Sequence, residues 1–68
     1  MENIICELRK KQNLSQLSLA KLCKVTRQTI NAIENNKYDP TLSLAFELAQ
    51  HLHTTVDDLF IQRKDDIL

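Results

Sequence analysis

Arg27, Gln28, Asn31, Ala32 and Asn35 fall at spacings that bring them to one side of a helix, and what they offer is hydrogen-bond recognition. A guanidinium forks onto two acceptors and a carboxamide sets a donor beside an acceptor, so such a row suits the planar edges of nucleic-acid bases. Little apolar bulk interrupts it. Nothing comparable supports catalysis. His51 and His53 are two apart, so on one helix they point to different sides, and no Ser, Cys or carboxylate constellation accompanies them. They read as surface or helix-end residues, and no enzyme is expected. Cys6 and Cys23 lack both a CxxC pairing and a nearby His pair. They read as small buried hydrophobes in a reducing compartment, with no metal site and no cofactor expected.

The row must be carried by the stretch from Ser15 to Glu34, SQLSLAKLCKVTRQTINAIE, which reads as two short helices joined by a tight corner. Ser15 and Thr26 are placed as side-chain caps for the two helix starts. Leu19, Ala20, Leu22 and Cys23 give the first helix an apolar face, Val25 plugs the corner, and Ile30 and Ile33 form the inward stripe of the second. Before this unit a helix is expected, with Asn3 as cap and Ile4, Ile5 and Leu8 turned inward. Arg9, Lys10 and Lys11 close it, and cations there oppose the negative end of the helix dipole, which is a structural role for at least part of the run. Asn13 ends it in the left-handed conformation.

After the unit, Asn35 to Tyr38 is a polar loop, and Asp39, Pro40 and Thr41 stop one helix and start the next. From Leu42 to Leu52 apolar residues occupy more of the circumference than one core-facing stripe needs. Either the helix is central and fully buried, or its second face, with Phe46, serves another copy of the chain. Thr55 followed by Asp58 opens a short last helix with Val56, Leu59 and Phe60.

At 68 residues there is room for one small domain, which buries a modest fraction of its surface and is expected to gain stability from oligomerisation. No run is long or apolar enough for a signal peptide or a membrane span, so a cytoplasmic protein without a membrane partner is expected. Net charge is zero but segregated. From Leu8 to Tyr38 seven cations (Arg9, Lys10, Lys11, Lys21, Lys24, Arg27 and Lys37) face one acid, Glu34. From Asp39 onward six acids face Arg63 and Lys64. Charge segregation alone is common in small domains, but here the basic half coincides with the amide-rich row, the pattern of a surface that meets a polyanion.

The order SQ, an LA pair, V-T-R-Q-T-I-N, then I-E-N-N-K-Y-D-P and a terminal D-L-F closely resembles the helix-turn-helix of the phage-repressor and Cro family, also called the xenobiotic-response-element family. The resemblance runs from about Asn3 to Phe60 and is similar above all to short stand-alone bacterial members. It implies an all-α, five-helix bundle of the lambda-repressor-like type, a single domain over 1–68 with the helix-turn-helix at 15–34. The tail from Ile61 to Leu68 either pairs with the residues before the first helix as a small antiparallel β-ribbon, as in short family members, or ends as a frayed charged segment.

The resemblance also implies that Arg9 pairs with Glu34, bracing the first helix against the recognition helix, and that Gln16 anchors a phosphate while steadying Gln28. Gln28, Arg27 and Asn31 are then the base readers, with the amide of Gln28 suited to adenine N6 and N7 and Arg27 to guanine O6 and N7. Thr26 offers a methyl or hydroxyl, though its oxygen is claimed by capping. Asn35, Lys37 and Tyr38 match positions that hold the DNA backbone, and Thr29 and Lys10 are weaker phosphate candidates. A glycine-free chain must close its helix ends with other residues, and Asn13, Asn36 and His53 stand where the family often uses Gly or Asn. Two positions depart from the pattern: Lys24 occupies a corner that commonly holds Gly, and Ser18 stands where an acid often completes a capping box with Ser15.

The function implied is a sequence-specific regulator of transcription that binds double-stranded DNA in the major groove. A dimeric repressor on an inverted-repeat operator is expected, with no small-molecule ligand and with the dimer surface in 41–68 through Phe46, Leu59, Phe60 and Ile61. The competing expectation is a protein-binding module, such as an antitoxin or adaptor. The polar face of Arg27, Gln28 and Asn31 weighs against it, because interface centres favour aromatics and Met.

Overall fold

Four helix starts in this chain use one device. The hydroxyls of Ser15, Thr26, Thr41 and Thr55 accept the amides of Ser18, Thr29, Leu44 and Asp58 at 3.0, 3.2, 3.2 and 3.2 Å. Each such cap satisfies an amide with no partner inside the helix and is worth about 1 kcal/mol. They open α2 (Gln16–Cys23), α3 (Arg27–Glu34), α4 (Leu42–His51) and α5 (Val56–Leu59). The structure, a computed structural model, describes residues 1–61. Ahead of these helices stand β1 (Glu2–Asn3) and α1 (Ile5–Lys11), and β2 (Phe60–Ile61) follows them. Asn3 serves α1 from one residue further out than expected: Ile4 is the flanking residue, and the Asn3 Oδ1 accepts the Ile5 amide at 3.1 Å.

Four helix ends share a second device. Asn13, Lys24, Asn36 and His53 have φ of 57°, 60°, 61° and 57° and close α1, α2, α3 and α4. At each, the next residue's amide reaches back to a carbonyl five residues earlier: Leu14 to Arg9, Val25 to Ala20, Lys37 to Ala32 and Thr54 to Ala49, at 2.9 to 3.0 Å. This is the Schellman closure, made four times without a glycine. Asn accepts the left-handed region readily, whereas the Cβ of Lys24 and of His53 costs each about 1 kcal/mol or more.

The core sits where all five helices converge: Ile5, Leu19, Ala20, Cys23, Ile30, Ile33, Leu48, Ala49, Leu52 and Leu59 form one cluster. Leu22 is an exception to the expected face of α2, because it flanks the inward stripe of Leu19, Ala20 and Cys23 and stays exposed. Burial pushes the Cys23 thiol pKa up and keeps it neutral, in keeping with its role as a small hydrophobe. β1 pairs antiparallel with β2, Glu2 opposite Ile61 and Asn3 opposite Phe60, so the ribbon forms at the first residue of the tail. The remainder of the tail, including Arg63 to Asp66, lies outside the described residues.

Candidate nucleic-acid interface

The outward face of α3 is built by what its inward face anchors. Ile30 and Ile33 are each 1 % exposed and fix the helix's rotation about its own axis. Arg27, Gln28 and Asn31 are left exposed, with Thr29 and Ala32 half-buried beside them. Among the described residues, Arg27 and Gln28 have no hydrogen-bond partner within the chain. Asn31 is oriented: the Asn35 Nδ2 donates to the Asn31 backbone oxygen at 2.9 Å and to its Oδ1 at 3.2 Å. With its Oδ1 accepting from Asn35, Asn31 keeps its two amide N–H donors uncommitted, and these suit a base acceptor such as guanine N7 or O6. The Asn35 amide is engaged with Asn31 in the free chain, and its side chain stands exposed beside the row.

The far end of α3 is gripped by two other helices. The Arg9 Nε donates to Glu34 Oε2 at 2.8 Å and its Nη2 to Glu34 Oε1 at 3.1 Å, a two-pronged pair with both side chains nearly buried. The Arg9 Nη1 also donates to the Leu14 carbonyl at 3.0 Å. The hydrogen bond that Arg9 donates to Glu34 outweighs desolvation and raises the Arg9 pKa above its ordinary value, so the guanidinium stays charged although the residue is only 9 % exposed. Gln16 joins the pair, its Nε2 donating to Glu34 Oε1 at 3.1 Å. The expected Arg9 to Glu34 brace is present, whereas Gln16 leans on Glu34 and not on Gln28. Because Arg9 and Glu34 neutralise each other, Lys10, Lys11, Lys21, Lys24, Arg27 and Lys37 remain as exposed cations in residues 8–38.

Lys37 and Tyr38 stand exposed in the loop after α3, and Lys10 is exposed near the end of α1. The hydroxyls of Thr26 and Thr29 lie 3.0 Å apart and one donates to the other, which leaves one hydroxyl hydrogen of the pair uncommitted. Asn3, expected only as a helix cap, and Gln12, which the sequence did not single out, make tertiary ties around this surface. Asn3 donates from Nδ2 to the Ile33 carbonyl at 2.9 Å, tying β1 to the end of α3. Gln12 donates to the Leu52 carbonyl at 2.8 Å and ties α1 to α4. Side-chain to backbone bonds between residues this far apart leave no trace in local periodicity.

On α4 and α5 the expected dimer contacts separate. Phe46 is 59 % exposed and Ile61 44 %, Phe60 is half-buried, and Leu59 is 0 % exposed. Leu59 is therefore a core residue with no surface to give a second copy, a correction that follows from its place on the inward side of the four-residue α5. Leu42, 68 % exposed one turn before Phe46, was not anticipated. Met1, Asp39, Pro40, Leu42, Ala45, Val56 and Phe60 line a shallow, mainly apolar hollow on the same side.

The helix-turn-helix family model matches residues 6–59 of this chain. A helix-turn-helix-type transcriptional regulator of Methanocaldococcus jannaschii, itself uncharacterized, is 46 % identical over 66 residues, spanning 97 % of this chain and all of that protein. The chain belongs to the helix-turn-helix family of DNA-binding transcriptional regulators. Among solved structures, the restriction-modification controller protein C.AhdI of Aeromonas hydrophila superposes with a TM-score of 0.76 at 30 % identity, covering 82 % of this chain and 85 % of that one. SinR, solved in complex with SinI, gives 0.78 at 22 % identity over 94 % of this chain and 63 % of its own, a likeness of fold.

As a member of this family the regulator is not an enzyme. The histidines of this helix-turn-helix protein are structural: His51 Nε2 lies 3.3 Å from Glu47 Oε2 one turn earlier, and His53 closes α4. Among the described residues no group of three or more His, Cys, Asp or Glu could hold a metal ion, and no helix is long and apolar enough to cross a membrane.

Proposed function

We propose that this helix-turn-helix regulator is a cytoplasmic repressor that lays α3 in the major groove of double-stranded DNA and binds an inverted-repeat operator as a homodimer. The observation that carries the reading is the outward side of α3: two uncommitted side chains, Arg27 and Gln28, and a third, Asn31, whose amide oxygen is held by Asn35 and whose N–H donors are free. A pre-oriented amide loses less freedom on binding, which favours base reading over a loose electrostatic contact. The six exposed cations of residues 8–38 supply the phosphate attraction, with Lys37, Tyr38 and Lys10 the phosphate contacts and Gln16 at the start of α2 a further anchor. One domain this small covers too few base pairs for selectivity, and a twofold pair would set two copies of α3 roughly 34 Å apart, one turn of DNA. Leu42, Phe46, Phe60 and Ile61 are the surface offered to the second copy, away from the basic half.

The test is selection from a pool of random duplexes, followed by titration of the best site. An inverted repeat is expected to be enriched. Arg27→Ala and Gln28→Ala should each lose ~1–3 kcal/mol on that site and little on random duplex. Equal losses on both would remove the base-reading role. Lys37→Ala should weaken all duplexes alike and lower the salt slope by about one unit.

A further inference from the structure

A helix leaves its last carbonyls without partners of its own. At the end of α3 the residues that follow meet some of them: the amides of Asn35, Asn36 and Lys37 reach the carbonyls of Asn31, Ile33 and Ala32 at 3.1, 3.1 and 2.9 Å. Asn3 adds a donor from 30 positions earlier in the chain, its Nδ2 reaching the Ile33 carbonyl at 2.9 Å. The Met1 carbonyl at 3.3 Å and the Asn36 Oδ1 at 3.4 Å are longer contacts of the same nitrogen. Two amide hydrogens serve these acceptors, and the short bond is the one to α3. The Asn3 Oδ1 is taken by the Ile5 amide at 3.1 Å. The backbone of Asn3 meanwhile lies opposite Phe60 in the ribbon, and the next amide, that of Ile4, donates to the Leu59 carbonyl at 3.0 Å.

Phe60 and Ile61 belong to the surface offered above to a second copy, so a single residue stands between that surface and the last turn of α3. The grip of Arg9 on Glu34 comes from α1 instead, and Ile30 and Ile33 seat α3 in the core. Without Asn3 the helix therefore keeps its place in the domain and loses its bond to the ribbon. We propose that Asn3 is a positioning residue that transmits the geometry of the subunit pair to α3, fixing the distance and rotation at which two copies of α3 meet the two halves of an operator. It touches no base and acts through the Ile33 carbonyl. The inference rests on the twofold reading proposed above. One added base pair turns a half-site by about 34° and moves it by about 3.4 Å, so a stiff link shows itself as intolerance of a changed spacer.

The test uses the full chain and the inverted repeat selected with it, as the selected duplex, with the spacer one base pair longer or shorter, and as a single half-site. Asn3→Ser keeps an oxygen for the Ile5 amide and is too short to reach Ile33. Asn3→Asp keeps the shape and the acceptor and cannot donate to a carbonyl. A net side-chain hydrogen bond is worth about fivefold in an equilibrium, so in both variants the affinity ratio between the selected and the altered spacers should fall about fivefold. Taking a ratio cancels any uniform effect of the charge that Asp adds. Half-site affinity and self-association of Asn3→Ser should stay at the parent's values, which a merely structural role would not allow. An unchanged ratio in either folded variant, or a parent chain indifferent to the spacer, overturns the inference and leaves the twofold reading standing. A half-site loss in Asn3→Ser as large as the loss on the full operator overturns it too, making Asn3 a support of α3 alone. Should Asn3→Ser fail to fold, the ratio in Asn3→Asp decides. Selection of duplexes without an inverted repeat overturns the twofold reading itself and the inference with it.

Discussion

α3 and α4 are of similar length and pack into the same core, yet their outward sides are opposites. α3 turns Ile30 and Ile33 inward and shows water a guanidinium and carboxamides. α4 turns Ala45, Leu48 and Ala49 inward and still shows Leu42 and Phe46 to water. Burying two large apolar side chains is worth about 1.5–3 kcal/mol each, so a helix that leaves them out has an unfilled demand for a partner surface. The polar side of α3 has no such demand; Asn31 is held by Asn35, while Arg27 and Gln28 stand without a partner in the chain. On the proposed reading, one side meets a charged, hydrated duplex and the other a surface that excludes water.

Four changes break or sharpen that contrast. Glu34→Ala strips the partner from a nearly buried Arg9 and releases α3 from α1 and α2, so a stability loss of about 3–5 kcal/mol is expected in urea unfolding. Replacing both partners, as in Arg9→Met with Glu34→Leu, should cost much less, because no charge is left unpaired. If the single change costs no more than the double, the pair does not position α3. Next, Leu42→Glu with Phe46→Glu should leave unfolding within about 0.5 kcal/mol for each exposed site while weakening self-association by at least tenfold, or ~1.4 kcal/mol. Sedimentation across a concentration series reads this, and an unchanged association constant would leave the apolar side of α4 without its proposed occupant.

A smaller gain is expected from Lys24→Gly. Removing a Cβ at φ 60° relieves about 1 kcal/mol of backbone strain, offset in part by the freedom glycine adds to the unfolded chain. Calorimetry should show a higher melting temperature, and a lower one would mean the lysine side chain makes up for its backbone. The smallest effect falls on orientation: Asn35→Ala should leave the fold intact and lower operator affinity by about 0.5–1 kcal/mol, because Asn31 then has to be ordered on binding. A loss on random duplex equal to that on the operator would place Asn35 on the phosphate backbone after all.

Much of this architecture was legible in local chemistry. The hydroxyl caps at Ser15, Thr26, Thr41 and Thr55 and the left-handed end at Asn13 act over a few positions and show in local spacing, while the ends at Lys24, Asn36 and His53, equally local, were placed by family resemblance. The pairing of Arg9 with Glu34, 25 positions apart, came from family resemblance and not from periodicity. Packing decided the rest. Leu59 and Phe46 are equally apolar in the chain, and only the placement of α5 against the core buries one, while α4 leaves the other in solvent. Gln16 and Asn35 carry the same carboxamide whether they face a phosphate or a neighbour, and the neighbours that claim them, Glu34 and Asn31, were chosen by how the helix ends meet. Sequence thus determined which residues start and stop helices, because capping and φ preference act over a few bonds. Tertiary structure decided which side chains remain uncommitted, because a donor is spent only when folding brings an acceptor within about 3 Å of it.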